Sequence, residues 1–249
     1  MRILGVDTAT STASVALLAD GELLAEKAHA TARGTGLSLP AKGNHCEIVL
    51  PLIQSVLETA RILLADLSGI AVCIGPGSFT GLRIGLATVK GIAYEMHIPI
   101  VGVSTLLAHA ARVKDFDGLV CALLDARKNE VYAAFFERRG GDLKRLSEDC
   151  VMAVTSAAEL LRAQSFSGAI ALVGDGAERH RALLGQYFGA TAQFFQDTSL
   201  STAACQAARA ASKRLYAEDG DDLGASAPVY LRSSEAEVKR GKTNSNLLK

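Results

Sequence analysis

A glycine-rich stretch of the sequence lies where many proteins bind phosphates. CIGPGSFTGLRIG runs from Cys73 to Gly85 and joins an apolar segment to a segment with helical periodicity. Backbone N–H groups in such a turn, at the start of a helix, attract anions. The stretch nevertheless departs from the P-loop, because Thr80 stands where the second glycine after Gly75 should be and no lysine follows Gly81. The glycine spacing also differs from the dinucleotide-binding fingerprint. We therefore expect at most a generic anion site here.

Two other turns have the composition of altered phosphate-binding turns. In each, an apolar segment ends in an aspartate that is followed by a short polar run. The residues concerned are Asp7, Thr8, Thr10, Ser11, Asp125 and Arg127. A working phosphate turn has glycine next to the aspartate so that N–H groups can approach the anion, and neither turn has one. Asp7 could orient a hydrated metal ion or close its own turn by hydrogen bonding, and we favour the second. Both turns are predicted to be vestigial.

No set of residues in the sequence predicts a metal centre or a hydrolase. A zinc or iron site needs three or more convergent protein ligands. His45 is followed at the fourth position by Val49, so that helix offers one ligand, and the other histidines have no ligand spacing. The serine of GPGSFTG does not lie in a Gly-x-Ser-x-Gly elbow. We expect no catalytic residue and no metal, with His45 as part of a helix start.

Composition and charge limit the possible settings of the protein. The 249 residues carry a formal net charge of zero, so any contact with nucleic acid would come through a partner or a local patch. The five cysteines are odd in number and form no Cys-x-x-Cys pair, which is typical of a reducing compartment. The chain opens directly in a strand, and no apolar run is long enough to span a bilayer. These features predict a cytoplasmic protein without membrane contact.

The elements that would position the two turns occur twice in the same order. The first half reads as strands RILGVDT, TASVALLA and ELLAEKAHA, a polar loop over 31–44, a helix over 45–64, strand GIAVCIG and a helix that starts at TGLRIG. The second half reads as strands LVCALLD and EVYAAFFE, a third strand over 143–151, a helix over 156–163, strand AIALVG and a helix from Glu178. The dipeptides Asp20-Gly21 and Gly140-Gly141 predict hairpins at equivalent places. Each half is therefore a βββαβα unit of an α/β fold.

This order predicts the domain organisation. We expect an N-terminal lobe over 1–104, a C-terminal lobe over 105–232 and a flexible tail over 233–249, whose lysines and arginine form a solvated end rather than a nucleic-acid contact. Asn44 could cap the helix over 45–64, and Pro51 should bend it.

The helix after the glycine-rich turn has two faces without large polar side chains. Its glycines each cost about 1 kcal/mol relative to alanine, so a packing requirement must offset them. Leu82, Leu86, Val89, Ala93 and Met96 form an apolar stripe suited to the chain's own sheet. Gly81, Gly85 and Thr88, flanked by Ile84 and Ile92, form a small-residue stripe. That stripe would admit another helix backbone, either the chain's own helix over 45–64 or a helix of a partner, and the two alternatives are compatible.

The sequence resembles a known fold and a known family. A doubled βββαβα unit whose first hairpin begins with an aspartate resembles the two-lobed actin-like ATPase (ASKHA) fold. The blocks ILGVDTATSTASVAL, HCEIVLPLI, GPGSFTGLRIGLATVKGIA, LLDARKNEVYAAFFE and PVYLR occur in the order found in the bacterial tRNA threonylcarbamoyladenosine biosynthesis proteins TsaB, also called YeaZ. The loop over 31–44 is longer than is usual there, and Cys46 stands where that family often has serine.

The resemblance implies a non-catalytic scaffold or activating subunit. Its partner would be the catalytic paralogue TsaD, which transfers threonylcarbamoyl from an adenylate to the adenosine 3′ of the anticodon in tRNAs that read codons beginning with A. The ATPase TsaE would join them, ATP or ADP could lie at the partner interface, tRNA would be reached only through the complex, and a homodimer could form without TsaD. The family's helical interface corresponds here to Val49, Leu52, Ile53, Val56, Gly81, Ile84, Gly85, Thr88 and Ile92.

Two other functions are compatible with the fold. An autonomous actin-fold ATPase or small-molecule kinase would bind and turn over Mg-ATP, which the altered turns argue against. A glycoprotease is disfavoured because the first long helix lacks the second histidine of a His-x-x-x-His pair.

Overall fold

The computed structural model describes residues 1–30, 45–163, 168–196 and 200–232, which form two α/β lobes. The N-terminal lobe contains β1 (Arg2–Asp7), β2 (Thr12–Ala19), β3 (Glu22–Ala30), α1 (His45–Ala60), β4 (Gly69–Gly75), α2 (Phe79–Met96) and β5 (Ile100–Ser104). Its sheet has the order β3-β2-β1-β4-β5, with β1 antiparallel to β2 and parallel to β4. The loop over 31–44, its Asn44 cap and the tail over 233–249 lie outside the described residues.

The C-terminal lobe repeats this pairing. It contains α3 (Thr105–Ala111), β6 (Gly118–Arg127), β7 (Glu130–Arg139), β8 (Asp142–Arg145), β9 (Cys150–Ala153), α4 (Val154–Ala163), β10 (Ile170–Val173), α5 (Asp175–Arg179), α6 (Arg181–Phe188) and β11 (Ala192–Phe195). In the order β11-β10-β6-β7-β8, β6 is antiparallel to β7 and parallel to β10, as β1 is to β2 and β4. The predicted duplicated α/β architecture is confirmed, and each lobe adds one closing parallel strand.

Three predicted elements of the chain end or divide differently from the sequence interpretation. The strand expected over 143–151 is two short strands, both paired with β7. Between them the hydroxyl of Ser147 accepts the N–H of Phe135 at 3.0 Å, and the carbonyl of Phe135 accepts the N–H of Leu146 at 2.8 Å, so the ladder is irregular there. The helix expected from Glu178 is divided into α5 and α6, and α1 ends at Ala60, with Arg61 at a φ of 56°.

The last helix, α7 (Ala203–Tyr216), packs on the N-terminal lobe. Its small side chains approach the N-terminal sheet closely: a Cβ on Gly5 would lie 2.0 Å from the carbonyl oxygen of Ala204. Ile3, Leu18 and Val101 belong to the same apolar cluster as α7. Helix α7 lies within the range predicted for the C-terminal lobe, 105–232, and returns to the first sheet.

Helices α1 and α2 cover the opposite face of that sheet. Ser78 caps α2 by accepting the N–H of Gly81 at 3.2 Å, and His97 ends it in the left-handed region. The predicted sheet-facing stripe of α2 is confirmed for Leu82, Leu86 and Val89, which are buried. No helix of the described residues is long and apolar enough to cross a membrane. The five cysteines are free thiols.

Candidate functional site

The turn between β1 and β2 is closed by its own hydrogen bonds. Asp7 is 2% exposed, and its Oδ1 accepts the N–H of Ala9 at 3.0 Å. Its Oδ2 lies 3.9 Å from Nε2 of the buried His109 on α3. The N–H of Thr12 donates to the hydroxyl of Thr10 at 3.2 Å. Asp7 therefore serves the turn itself, as the sequence suggested, and its carboxylate does not face solvent.

The glycines at the start of α2 make room for this turn. A Cβ on Gly81 would lie 2.0 Å from the carbonyl oxygen of Thr8, and one on Gly85 would lie 2.2 Å from the hydroxyl oxygen of Thr8. The Thr8 hydroxyl donates to the carbonyl of Gly81 at 2.8 Å, and the N–H of Ser78 donates to the carbonyl of Ala9 at 2.7 Å. The prediction that Gly81 and Gly85 admit a helix backbone is wrong, because Thr8 occupies that space.

Helix α1 covers the same turn from another side. Nε2 of His45, the first residue of α1, lies 2.9 Å from the carbonyl oxygen of Thr10. The carbonyl can only accept, so this nitrogen carries the proton in the neutral ring. Burial lowers the pKa of His45 below its ordinary value. His45 is thus a structural part of the helix start, as the sequence suggested.

A thiol next to Asp7 is equally enclosed. Cys73 is fully buried at the end of β4, and burial together with the neighbouring Asp7 carboxylate raises the pKa of its thiol. A thiol held in the protonated form is a poor nucleophile. Within the ranges that the structure describes, no group of three or more His, Cys, Asp or Glu side chains is arranged to hold a metal ion.

The equivalent turn of the C-terminal lobe has a different surrounding. Asp125 accepts the N–H of Arg127 at 2.9 Å and pairs with the guanidinium of Arg179 at 2.8 Å. Arg127, Lys128 and Asn129 have φ values of 63°, 52° and 59°, which turn the backbone sharply, and their side chains are exposed. This turn is open to solvent, but its aspartate already has a cationic partner.

Most of the side chains predicted at a partner interface lie inside the protein. Val49, Ile53 and Val56 are at most 3% exposed and belong to the core beneath α1. Leu52, Ile84 and Ile92 are half-buried and pack against the same core, and Thr88 is half-buried as well. Because α1 lies over β2 and β3, its apolar positions face the sheet. The predicted pairing of α1 with α2 within the chain is confirmed, and the role of these residues at a partner interface stays a prediction.

The exposed faces of the same two helices carry a different set of residues. On α2, Ala87, Gly91 and Tyr94 follow one another at helical spacing and point outward, and a Cβ on Gly91 would meet nothing within 4 Å. Tyr94 is 74% exposed, and Leu50 of α1 is 56% exposed. We call Ala87, Gly91 and Tyr94 the outer face. The spacing of residues 87, 91 and 94 places them on one face of a helix. Only the burial of the other faces of α2 shows that this face is the exposed one.

Comparisons with known proteins give this architecture a family. The family model TsaD, described as tRNA N6-adenosine threonylcarbamoyltransferase, matches residues 25–243. The chain is similar to the tRNA threonylcarbamoyladenosine biosynthesis protein TsaB of Bacillus subtilis, at 31% identity over 241 residues that cover 96% of this chain and 97% of that protein. TsaB of Escherichia coli is 41% identical over 140 residues, covering 55% of this chain and 56% of that protein.

A solved structure supports the fold. YeaZ from Pseudomonas aeruginosa superposes with a TM-score of 0.69 over 92% of this chain and 99% of that chain, at 24% identity. The two-sheet architecture is thus the actin-like fold. In this chain both lobes have the same strand pairing, and the turn after β1 is filled by the chain's own side chains. The chain belongs to the TsaB (YeaZ) family of tRNA threonylcarbamoyladenosine biosynthesis proteins.

Proposed function

We propose that this chain is a non-catalytic scaffold subunit that binds and supports TsaD in the tRNA threonylcarbamoyladenosine-forming complex. Membership in the TsaB family supports a role in threonylcarbamoyladenosine formation. The match to the family model of the transferase TsaD shows that this chain resembles the partner we propose for it. The observation that carries the proposal is the outer face, where small residues on α2 leave the helix backbone open next to an exposed aromatic ring. Small residues of this kind allow a partner helix to approach closely, and aromatic side chains dominate the energy of many interfaces.

The buried state of Asp7 supports the non-catalytic part of the proposal. A nucleotide phosphate and its metal ion would have to displace Thr8 and the start of α2 to reach this carboxylate. In the C-terminal lobe, Arg179 neutralises Asp125. We therefore propose that the chain binds no nucleotide of its own and that any ATP or ADP at the interface is held chiefly by the partner. Calorimetric titration with Mg-ATP tests the rival ATPase or kinase, which requires tight binding with turnover.

The proposal extends to the assembly. TsaE would bind where the chain and TsaD meet, and tRNA would be contacted through the complex rather than by this chain alone. Without TsaD, the outer face would pair with a second copy, because the same open helix surface would otherwise face water. Sedimentation of the isolated chain across a concentration series, with and without TsaD, separates these states.

Two glycine substitutions provide the direct test of docking. Gly91→Arg places a long charged side chain on the outer face, where a Cβ has space, so the fold should be kept. Gly185→Arg makes the same change on α6 of the other lobe, where a Cβ also meets nothing within 4 Å. We expect Gly91→Arg to lose co-purification with TsaD and Gly185→Arg to retain it. Equal retention by both variants would place the docking surface elsewhere.

A further inference from the structure

The segment 221–232, which we call the C-terminal strap, runs along the side of α2 from its end to its start. In the second half of α2, Lys90 donates to the carbonyl of Gly224 at 3.4 Å, and Leu223 packs on the core that α2 covers. Further along, the N–H of Val229 donates to the carbonyl of Ile74 at 2.7 Å. The strap therefore lies beside the whole helix that carries the outer face.

The strap is anchored at its first residue to the edge of the N-terminal sheet. The N–H of Asp221 donates to the carbonyl of Ile100 at 2.8 Å, and its carboxylate accepts the N–H of Gly102 at 2.6 Å. Arg214 at the end of α7 pairs with the same carboxylate at 2.8 Å. These contacts cover the edge strand β5 and fix where the strap begins.

Near its last residues the strap contacts the start of α2. The ring of Tyr230 stacks on Phe79, the first residue of α2, with centroids 4.4 Å apart. The guanidinium of Arg83 lies over the Phe79 ring at 3.9 Å, and its Nε donates to the Tyr230 hydroxyl at 2.8 Å. Tyr230 thus takes part in stacking and in a charge-assisted hydrogen bond, while the cation–π contact of Arg83 holds Phe79 in the same cluster.

Two residues further on, the strap contacts the other lobe. Arg232 donates to the carbonyl of Ala126 at 2.9 Å and pairs with Glu130 at 2.9 Å, so it is bound to both sides of the β6–β7 turn. Between its anchors the strap is loosely packed: a cavity of about 230 Å³ separates Ala225 and Ala227 from Leu86. The anchors, rather than close packing along its length, hold the strap in place.

We propose that the C-terminal strap is a brace that fixes the start of α2 relative to the β6–β7 turn, with Tyr230 as its positioning residue. Tyr230 and Arg232 lie close enough in sequence that displacement of one moves the other. A change at the exposed residues 127–129 of this turn is therefore transmitted to the helix that carries the outer face. The brace itself is independent of docking, whereas its consequence for TsaD binding depends on the proposed function.

Hydrogen exchange on the full chain tests the brace without a partner. Tyr230→Ala should raise amide exchange by about tenfold both at 79–84 and at 126–131, since it removes stacking and the hydrogen bond together. Tyr230→Phe keeps the ring and should raise exchange at 79–84 by about twofold. Arg232→Ala should raise exchange in both segments while Tyr230 is intact. Tyr216→Ala, a matched control at an exposed tyrosine on α7, should change neither segment.

Each outcome decides the proposal. Unchanged exchange in Tyr230→Ala, or an increase confined to one of the two segments, would overturn the brace. With TsaD added, Tyr230→Ala should bind about fivefold more weakly if α2 must be held in place. If exchange is unchanged while Gly91→Arg abolishes binding, the brace fails and docking holds. If exchange changes while neither variant affects binding, the brace holds and the proposed function fails.

Discussion

The two aspartate turns occupy equivalent places in the two lobes and have opposite surroundings. Asp7 is buried beneath α2, α1 and α3, whereas the turn that follows Asp125 is exposed. In both lobes a glycine after the strand that pairs parallel with the first strand, β4 or β10, approaches the end of the first strand. A Cβ on Gly81 would meet Thr8, and one on Gly176 would lie 2.7 Å from the carbonyl carbon of Leu124. The difference lies downstream, since α2 continues over its turn and α5 ends after five residues.

The two turns share the missing glycine but differ in burial. Neither turn has the glycine that a phosphate needs, yet only the first has been built into the core. The second keeps an exposed backbone and cations next to the C-terminal strap. The first turn therefore contributes to folding stability, and the second is the place where surface changes can occur at little cost.

The largest expected difference in the free energy of unfolding is between glycine substitutions on the two faces of α2. Gly85→Leu should destabilise the protein by about 3 kcal/mol or more, because the hydroxyl of Thr8 would lie 2.2 Å from the new Cβ. Gly91→Leu should leave the free energy of unfolding unchanged or raise it by up to about 1 kcal/mol, since leucine is the better helix former and has space. Urea unfolding of both variants measures the difference. A tolerated Gly85→Leu would contradict the packing of Thr8 against α2.

A smaller effect is expected from removing each aspartate. Asp7→Ala deletes the acceptor for Ala9 N–H in a buried site and should cost about 2–4 kcal/mol in the free energy of unfolding. Asp125→Ala breaks a partly exposed ion pair with Arg179 and should cost less than about 1 kcal/mol. Thermal or urea unfolding at one pH compares them. Equal costs would show that the second turn is as much a part of the core as the first.

The smallest effect concerns pH. Burial lowers the pKa of His45 from its ordinary value of 6.5, so the folded protein binds a proton at this site less readily than the unfolded chain does. The free energy of unfolding should therefore fall as the pH drops from 6.5 toward the folded pKa, by less than about 1.4 kcal/mol per pH unit. His45→Gln should remove that part of the decrease between pH 7.5 and 5.5.

The control for His45→Gln is His180→Gln, the same substitution in the C-terminal lobe. Burial also lowers the pKa of His180, with Asp125 acting in the opposite direction. Because His180 is half-buried whereas His45 is buried, we expect the smaller part of the pH dependence to depend on His180. If His45→Gln kept the full acid sensitivity of the wild type, the account of the N-terminal turn as a buried unit would need another titrating group.

Local sequence patterns predicted the order of the helices and strands but not the tertiary contacts between them. Asp20-Gly21 and the alternation of TASVALLA predicted a hairpin that the structure contains. The stripe of Gly81 and Gly85 showed that something approaches α2 closely, but not that it is Thr8, which lies far away in the sequence. The family resemblance assigned Val49 and Ile53 to a partner interface, and periodicity could not show that they face the chain's own core, because it identifies a buried face without saying what buries it.

The packing of α7 and of the C-terminal strap on the N-terminal lobe could not be predicted from the sequence either. Nothing in the alanine-rich sequence of α7 indicates that it packs against β1 rather than the preceding lobe, because small apolar residues suit either sheet. The strap has no periodicity at all, and PVYLR suggested no contact between Tyr230 and Phe79. Such contacts depend on tertiary geometry that no window of sequence contains.

Titration of TsaD with this chain tests the central claim most directly. Threonylcarbamoyl transfer to tRNA would be measured at fixed TsaD and TsaE while the wild-type chain, Gly91→Arg or Gly185→Arg is increased in concentration. If the chain contributes a binding surface and no chemistry, Gly91→Arg should reach the wild-type maximum at a concentration higher by about tenfold or more, and Gly185→Arg should match the wild type. A lowered maximum for Gly91→Arg at an unchanged half-maximal concentration would contradict the account.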